Sequence, residues 1–394
     1  MTGQRKYWLT AAAVLAIASA LRISSLPIGK DTVSPSPRQN GYYDYRGTAH
    51  IHTRYSEDAQ GTYEEIAKVA TEQNIHFLLG TEHNNLDALK DGKEGWHGDT
   101  LVLIGTEISV NEGYLFAFDV NEYTFGKYDI YKFVHPKIEA QNGFSMIAHT
   151  QSKRWRWRKA IPDSVIGQEV LDLADQFVTA SPLAIISAIM YIPFNKQAAH
   201  LQVYRRPSRT LEIWDKIAQE RDYVGIYGAD LHQSVKILFL NLRFPSAEWT
   251  LPFANNHIIL SEAFTKDLAH DKPLLYDAIK KGHLYIGIDL LQDTTGFFFS
   301  ARQGVKDAWM GETLPAGPTT DFFVTLPPQH TSLDNVIIYV YHNGKQIAES
   351  ADPAFRFKAH EPGAYRVVVE TRIPTFWGRG RNVAWIYSNP IYLR

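Results

Sequence analysis

The feature that most constrains this chain is a rhythm. From Tyr45 onward, apolar runs of strand length alternate with segments of helical period, and five of the strand-like runs end in or lead into His, Asp or Glu. Gly47–His52, Phe77–Gly80, Leu101–Ile104, Tyr114–Val120, Phe144–Ala148 and Tyr223–Gly228 read as strands, with helical periodicity over Tyr63–Gln73 and Tyr131–Asn142. Alternation of this kind predicts an α/β fold with a mostly parallel sheet. The rhythm persists to Asp230 and extends to Leu284–Ile288. After Gly296 it gives way to short strands at Phe297–Ala301, Phe322–Leu326, Val336–Tyr341, Phe355–Lys358, Tyr365–Glu370 and Ala384–Tyr387. Asn343-Gly344 is a strong hairpin signal. These six strands predict a C-terminal β-sandwich of immunoglobulin-like size.

The strand ends carry the chemistry. His50-Ile51-His52 closes the first strand, where side chains two apart share a face. Asp58 lies six residues further on, with Glu57 beside it. The following ends read Thr81-Glu82-His83, Gly105-Thr106-Glu107, Ala148-His149 and Asp230-Leu231-His232. One His-x-His is weak evidence alone. Five ends bearing ligand-type residues are another matter, because the functional face of a parallel α/β fold lies at the carboxyl ends of its strands. The chain has no cysteine and fifteen histidines. Disulfides, thiolate zinc sites, iron–sulfur clusters and thiol nucleophiles are thereby excluded. Gly-x-Ser-x-Gly, P-loop and dinucleotide-binding signatures are absent too. Forty basic residues against 42 acidic ones leave a net charge of −2, which argues against a nucleic-acid-binding protein.

The series His-Ile-His, Glu-His, Gly-Thr-Glu-Ile, Ala-His and Asp-Leu-His, in this order and at these intervals, resembles the polymerase-and-histidinol-phosphatase (PHP) superfamily of metallohydrolases. The resemblance covers residues 45–290. Within that superfamily, the added C-terminal β domain and the closing Ser388-Asn389-Pro390-Ile391-Tyr392 are similar to exported bacterial members grouped with carbaryl hydrolases. The resemblance implies a distorted seven-stranded (β/α) barrel with two or three divalent ions (Zn, Mn or Fe). It places one metal on His50, His52, Glu107 and Asp230. A second would share Glu107 and take His149, and a third would use Asp58, His83 and His232. Relatives carry a histidine where this chain has Tyr114 after Gly113, so water, Asn111 or His135 would complete the second metal. Glu57 competes with Asp58 as the early acidic ligand.

Without the family name, an all-His/carboxylate shell suits a hard or borderline divalent ion. Two ions sharing a carboxylate can activate water for ester hydrolysis. We therefore expect a metal-dependent hydrolase with Asp230, His232 and Glu107 at its catalytic centre. The resemblance, together with the Lys/Arg run after His149, implies a phosphomonoester or phosphodiester substrate first, with carbamates, amides and carboxylic esters behind. A non-catalytic envelope module with a degenerate site is the alternative from another class. Lys153 and Arg154, just past His149 in a run with Trp155, Arg156, Trp157 and Arg158, are the candidate substrate-binding residues together with Tyr114. The run also reads as a solvated loop or a patch for anionic lipid. Gln176–Asn195 carries no charge and reads as a buried outer helix or as a membrane-facing lid. Membrane association through residues 177–194 and a lipid-like ester follow from the second option, beside the general expectation of a small-molecule ester and of membrane association through the N-terminus. His97 is a possible secondary ligand, Asp289 a candidate for the site mouth, and the remaining histidines, His257 and His76 among them, surface or core residues.

Arg5 and Lys6 precede an uncharged apolar stretch, Tyr7–Leu21, with Ala18 and Ala20 following the pattern of an export signal. Residues 1–25 are expected to be a signal peptide or anchor and 26–44 a linker. Residues 45–292 would be the metallohydrolase domain and 293–394 the sandwich, in an exported or periplasmic protein.

Overall fold

The computed structural model describes residues 7, 8, 10, 14, 38–39, 41–237, 240–373 and 380–394. Most of the expected signal and of the linker lie outside the described residues. Among the described residues, no helix is long and apolar enough to cross a membrane.

Seven strands close into a barrel: β1 (Tyr42–Ile51), β2 (Phe77–His83), β3 (Thr100–Val110), β4 (Gly113–Phe118), β5 (Phe144–Ile147), β6 (Gly167–Asp172) and β7 (Val224–Leu231). β1 pairs in parallel with both β2 and β7, which completes the circle. β2–β3, β5–β6 and β6–β7 are parallel as well, whereas β4 runs antiparallel to both neighbours. Strand alternation sorts the core into two layers. Ala49, Phe77, Leu79, Leu101, Leu103, Phe116 and Met146 fill one apolar cluster, while Ile51, Leu78, Val102 and Ile104 join another. Helix α1 (Tyr63–Glu72) contributes to the second. Its capping box, Thr62 with Glu65, satisfies two orphan N–H groups, and Tyr63, Ile66, Ala67 and Ala70 form its buried stripe.

Two readings of the sequence are corrected here. β1 begins at Tyr42, inside the stretch read as linker. β6 was not foreseen at all, because Gly-Gln-Glu-Val-Leu-Asp lacks the apolar run that marks a buried strand.

β1 extends beyond the barrel. Its first half pairs with β8 (Asn255–Leu260), and β8 pairs with β9 (Leu284–Gly287). β9 in turn pairs with Arg381–Ser388 of the C-terminal region. All six expected C-terminal strands form. Asn343 and Gly344, both at positive φ, turn the hairpin between Ile337–His342 and Lys345–Ser350. Phe298–Gln303, Lys306–Trp309, Thr320–Thr325 and Ala354–Ala359 make a separate four-stranded sheet. The other C-terminal sheet is hydrogen-bonded through β9 to the barrel. What the structure establishes is a barrel with added C-terminal strands, without establishing an immunoglobulin-like sandwich.

Candidate metal centre

The carboxyl ends of β1, β2, β3, β5 and β7 bring their His, Asp and Glu residues together. His50, His149 and Asp230 all have left-handed backbone, at φ 63°, 53° and 48°. Such conformations cost a non-glycine residue energy and persist where surrounding structure enforces them. At His50 the cost goes with a register shift between β1 and both neighbours, so that residues 50 and 52 both reach the barrel mouth.

Glu107 is the hub. One carboxylate oxygen lies 3.1 Å from His149 Nε2, and the other lies 2.8 Å from His83 Nδ1 and 3.7 Å from Nε2 of both His50 and His52. Asp230 Oδ1 sits 3.3 Å from His50 Nε2, 3.5 Å from His52 Nε2 and 3.2 Å from His232 Nδ1. At the solvent side, Asp58 Oδ1 lies 3.4 Å from His83 Nε2 and 3.5 Å from His232 Nε2. Asp58, not Glu57, joins the cluster. His52, His83 and His232 form one group able to hold an ion, His50, His52 and Glu107 a second, and His50, His149 and Asp172 a third.

Donor chemistry tests whether ions fit. His50 Nε2, His52 Nε2, both Glu107 oxygens and Asp230 Oδ1 are buried without a hydrogen-bond partner. Left so, each costs the desolvation of a polar group, and buried polar groups are normally satisfied. Five such atoms aimed at one another match a site for divalent cations. The charges pull in the same sense. Burial pushes the Glu107 carboxyl up, yet His149 and His50 hold it well below the ordinary range. Burial opposes protonation of His83, but Asp58 and Glu107 lift it to about 10. His52 is driven down by burial and by His232. Asp58 is lowered to about 2, chiefly by its hydrogen bond with His83.

A supporting layer of carboxylates comes mostly from β6 and was missed from the sequence. Glu169 Oε1 pairs with His50 Nδ1 at 2.7 Å, and its other oxygen accepts from the His149 backbone N–H at 2.6 Å. Asp172 and Asp175 lie 3.1 and 3.6 Å from His149 Nδ1. Anchoring Nδ1 of His50 this way leaves its Nε2 directed at the cluster, the usual outer-shell arrangement of metal-binding histidines, whereas His149 Nδ1, Asp172 Oδ2 and Asp175 Oδ1 are buried close together without a hydrogen bond. Burial raises Glu169 to about 7 and Asp175 to about 6. Gly228 is required beside this pair, since a Cβ there would overlap Glu169 Oε1 at 1.8 Å. The only sequence signal for the layer was acidic residues flanking Val170-Leu171.

The other candidates disperse. Glu82 faces away from the cluster and accepts from Thr53 Oγ1, Ser56 Oγ and Tyr63 OH, pinning the loop after β1. Tyr114 meets His149 edge-on at 5.6 Å between ring centroids. Lys153 and Arg154 are exposed, and it is Trp155, 5.2 Å from the His149 ring, that touches the cluster, with Arg154 over its outer face. Asn111 is exposed, His97 bonds the Lys93 carbonyl and His135 packs on Tyr131; none joins the cluster. Asp289 bonds His257 and Thr294 beside the first half of β1, not at the mouth.

No family model and no curated protein matches the chain. Among solved structures it is similar to a two-domain protein from Bacteroides vulgatus containing a predicted PHP-like metal-dependent phosphoesterase. The two are 12% identical over 90% of this chain and all of that one, with a TM-score of 0.41. Similarity of that degree carries no argument about activity, and it gives no support to the narrower likeness to carbaryl hydrolases.

Proposed function

We propose that this chain is a metal-dependent hydrolase of phosphate esters. The observation that carries the reading is the set of buried, unpartnered Nε2 and carboxylate atoms converging at the barrel mouth. His50, His52, Glu107 and Asp230 would hold one divalent ion, Glu107 with His149 a second, and Asp58, His83 and His232 a third. Ions bound there would supply Lewis acidity toward an ester oxygen and lower the pKa of coordinated water. Glu169 orients the His50 imidazole and holds the His149 backbone. Asp58, His83 and His232, the least buried members, form the side open to solvent, where an ester would enter. Tyr114 and Trp155 narrow the opening around His149, while Lys153 and Arg154 supply positive charge on its rim, suited to phosphate oxygens. We further propose that the protein is exported, as the apolar segment at residues 7–21 suggests.

The test is a screen of protein reconstituted with Zn, Mn or Fe against phosphomonoesters, phosphodiesters and aryl carbamates. Turnover of a phosphate ester that disappears in Asp230→Asn is expected. Turnover of carbamates alone, or of nothing, would contradict the proposal.

A further inference from the structure

The carboxyl ends of β5, β6 and β7 lead into segments 149–162, 176–211 and 232–247. Together these hold eleven of the chain's 40 Lys and Arg and not one Asp or Glu, leaving 29 basic residues elsewhere to face all 42 acidic ones. In a chain of net charge −2, basic residues are thus concentrated in the segments that follow these three strands. Arg206 pairs with Glu370 and Arg243 with Glu65, but Lys153, Arg154, Lys196, Arg205 and Arg209 are exposed and enter no ion pair among the described residues.

The same face is apolar in an inverted way. Helix α2 (Leu173–Val178) follows β6, and α3 (Pro182–Tyr191) follows α2. α3 turns Ala184, Ala188 and Tyr191 inward and leaves Leu183, Ile186, Ile189 and Met190 exposed, Leu183 at 79%. A water-facing helix normally does the reverse. The reading of Gln176–Asn195 as a buried outer helix is therefore corrected. A second apolar outcrop, the hairpin Val235–Ile237 with Leu240–Leu242, follows β7 and exposes Leu240, Leu242 and then Phe244. The two outcrops meet at Trp249, whose ring packs 4.8 Å from Phe244 and whose Nε1 donates to the Lys196 carbonyl. Gln176 bonds both Gln151, two residues past His149, and the Arg205 carbonyl, which ties this surface to the metal-centre loop.

We infer that this face seats on an anionic lipid surface, so that the ester cleaved is the headgroup of an amphiphile. The inference rests on the phosphoesterase reading for the substrate, though not for the docking. Exposed aliphatics flanked by Lys and Arg in excess of acids, with Glu248 beside Trp249 as the exposed carboxylate near Lys196 and Arg243, have the composition of an interfacial membrane site. A protein partner would more commonly be met by central Trp, Tyr or Arg anchors, which the exposed face of α3 lacks.

The absence of cysteine permits a direct test on the full chain. A polarity-sensitive fluorophore is attached to Ile186→Cys, Leu240→Cys or, as a remote control, Val305→Cys, and vesicles of neutral or 30% anionic lipid are added. The expected result is a blue shift at 186 and 240 but not at 305, with about tenfold or greater preference for anionic vesicles. Labels at 186 and 240 that stay aqueous, whether or not the chain is held to vesicles by its N-terminal segment, would overturn the inference, as would equal response to neutral lipid. In parallel, Ile186→Asp/Ile189→Asp is assayed on a short-chain soluble phosphate ester and on the same headgroup in vesicles. Loss confined to vesicles supports docking, and equal rates on vesicles oppose it. Failure of the wild type on every phosphate ester, with the blue shifts intact, removes the phosphoesterase reading and leaves the docking face standing.

Discussion

Strand β1 carries a histidine–carboxylate cluster near each of its ends, and the two differ in how their atoms are satisfied. Toward the amino end, His257 joins Asp44 and Asp289 through its two ring nitrogens, at 2.7 and 3.0 Å. Asp44 also accepts from Tyr285 OH and the Gly296 N–H, and Asp289 from Asn255 and twice from Thr294. Arg46 lies 3.7 Å from Asp289 and from Asp293. The network closes on itself and joins β1, β8 and the chain after β9. At the carboxyl end, Glu107 and Asp230 have the same chemistry but are left with unpartnered atoms. Buried polar groups that complete one another hold a fold together; those that converge and remain incomplete form a candidate ligand site. Residue type alone does not separate the two cases.

Substitutions at the two ends should therefore break different things. Asp230→Asn should remove turnover, by more than the roughly 10–100-fold that loss of an outer-shell partner costs, and leave the unfolding midpoint of metal-free protein unchanged or raised. Asp289→Asn should leave kcat of the folded protein intact and destabilise by about 3–5 kcal/mol, because His257 and Arg46 would stay buried with one carboxylate fewer. Denaturant titration beside initial rates checks both. An active Asp230→Asn would show that the metal assignment is wrong.

Glu169→Gln tests the supporting layer. It should weaken metal affinity about 10–100-fold while the first ligands remain, measured by competition with a chromophoric chelator. Unchanged affinity would mean that the His50 tautomer is fixed without it.

The closed network has a pH signature. Burial opposes protonation of His257, but Asp289 and Asp44 raise it to about 10 from an ordinary 6.5. A raised folded-state pKa stabilises fully below the unfolded value and is lost as pH climbs toward the folded one. The difference in stability between wild type and His257→Gln should be level below pH 6 and shrink between about 6.5 and 10. A difference that grows over that range would contradict the charged assignment. The smallest effect belongs to Arg154→Ala. Exposed and paired only with the Trp155 ring, it should raise KM for phosphate esters by about fivefold at most, the scale of a surface charge contact of about 0.2–1 kcal/mol.

This contrast also explains what was legible in the sequence. His50, His52, Glu107, His149 and Asp230 could be read because each stands at or near the carboxyl end of an apolar strand, where parallel α/β geometry places function. The strands around them were read for the same reason. β6 escaped because its own supporting carboxylates, Glu169 and Asp172, break the apolar pattern that identifies a buried strand. His257 was indistinguishable from a core histidine until Asp44 and Asp289, 213 and 32 residues away, were seen beside it. In α3 the composition was read correctly, but which side faces water depends on where Ala184 and Ala188 find a surface. The C-terminal strands were legible one by one from their alternation. Their union with the barrel through β9 was not, because edge pairing leaves no local mark.

The central claim is that the carboxyl end of β1 is completed by metal and the amino end is not. It is tested most directly by counting ions in purified protein, grown with supplemented Mn and Zn, for wild type, Glu107→Gln and Asp289→Asn. Two or more transition-metal ions per chain are predicted in wild type and in Asp289→Asn, with loss in Glu107→Gln. Fewer than one per chain in wild type, or an undiminished count in Glu107→Gln, would contradict it.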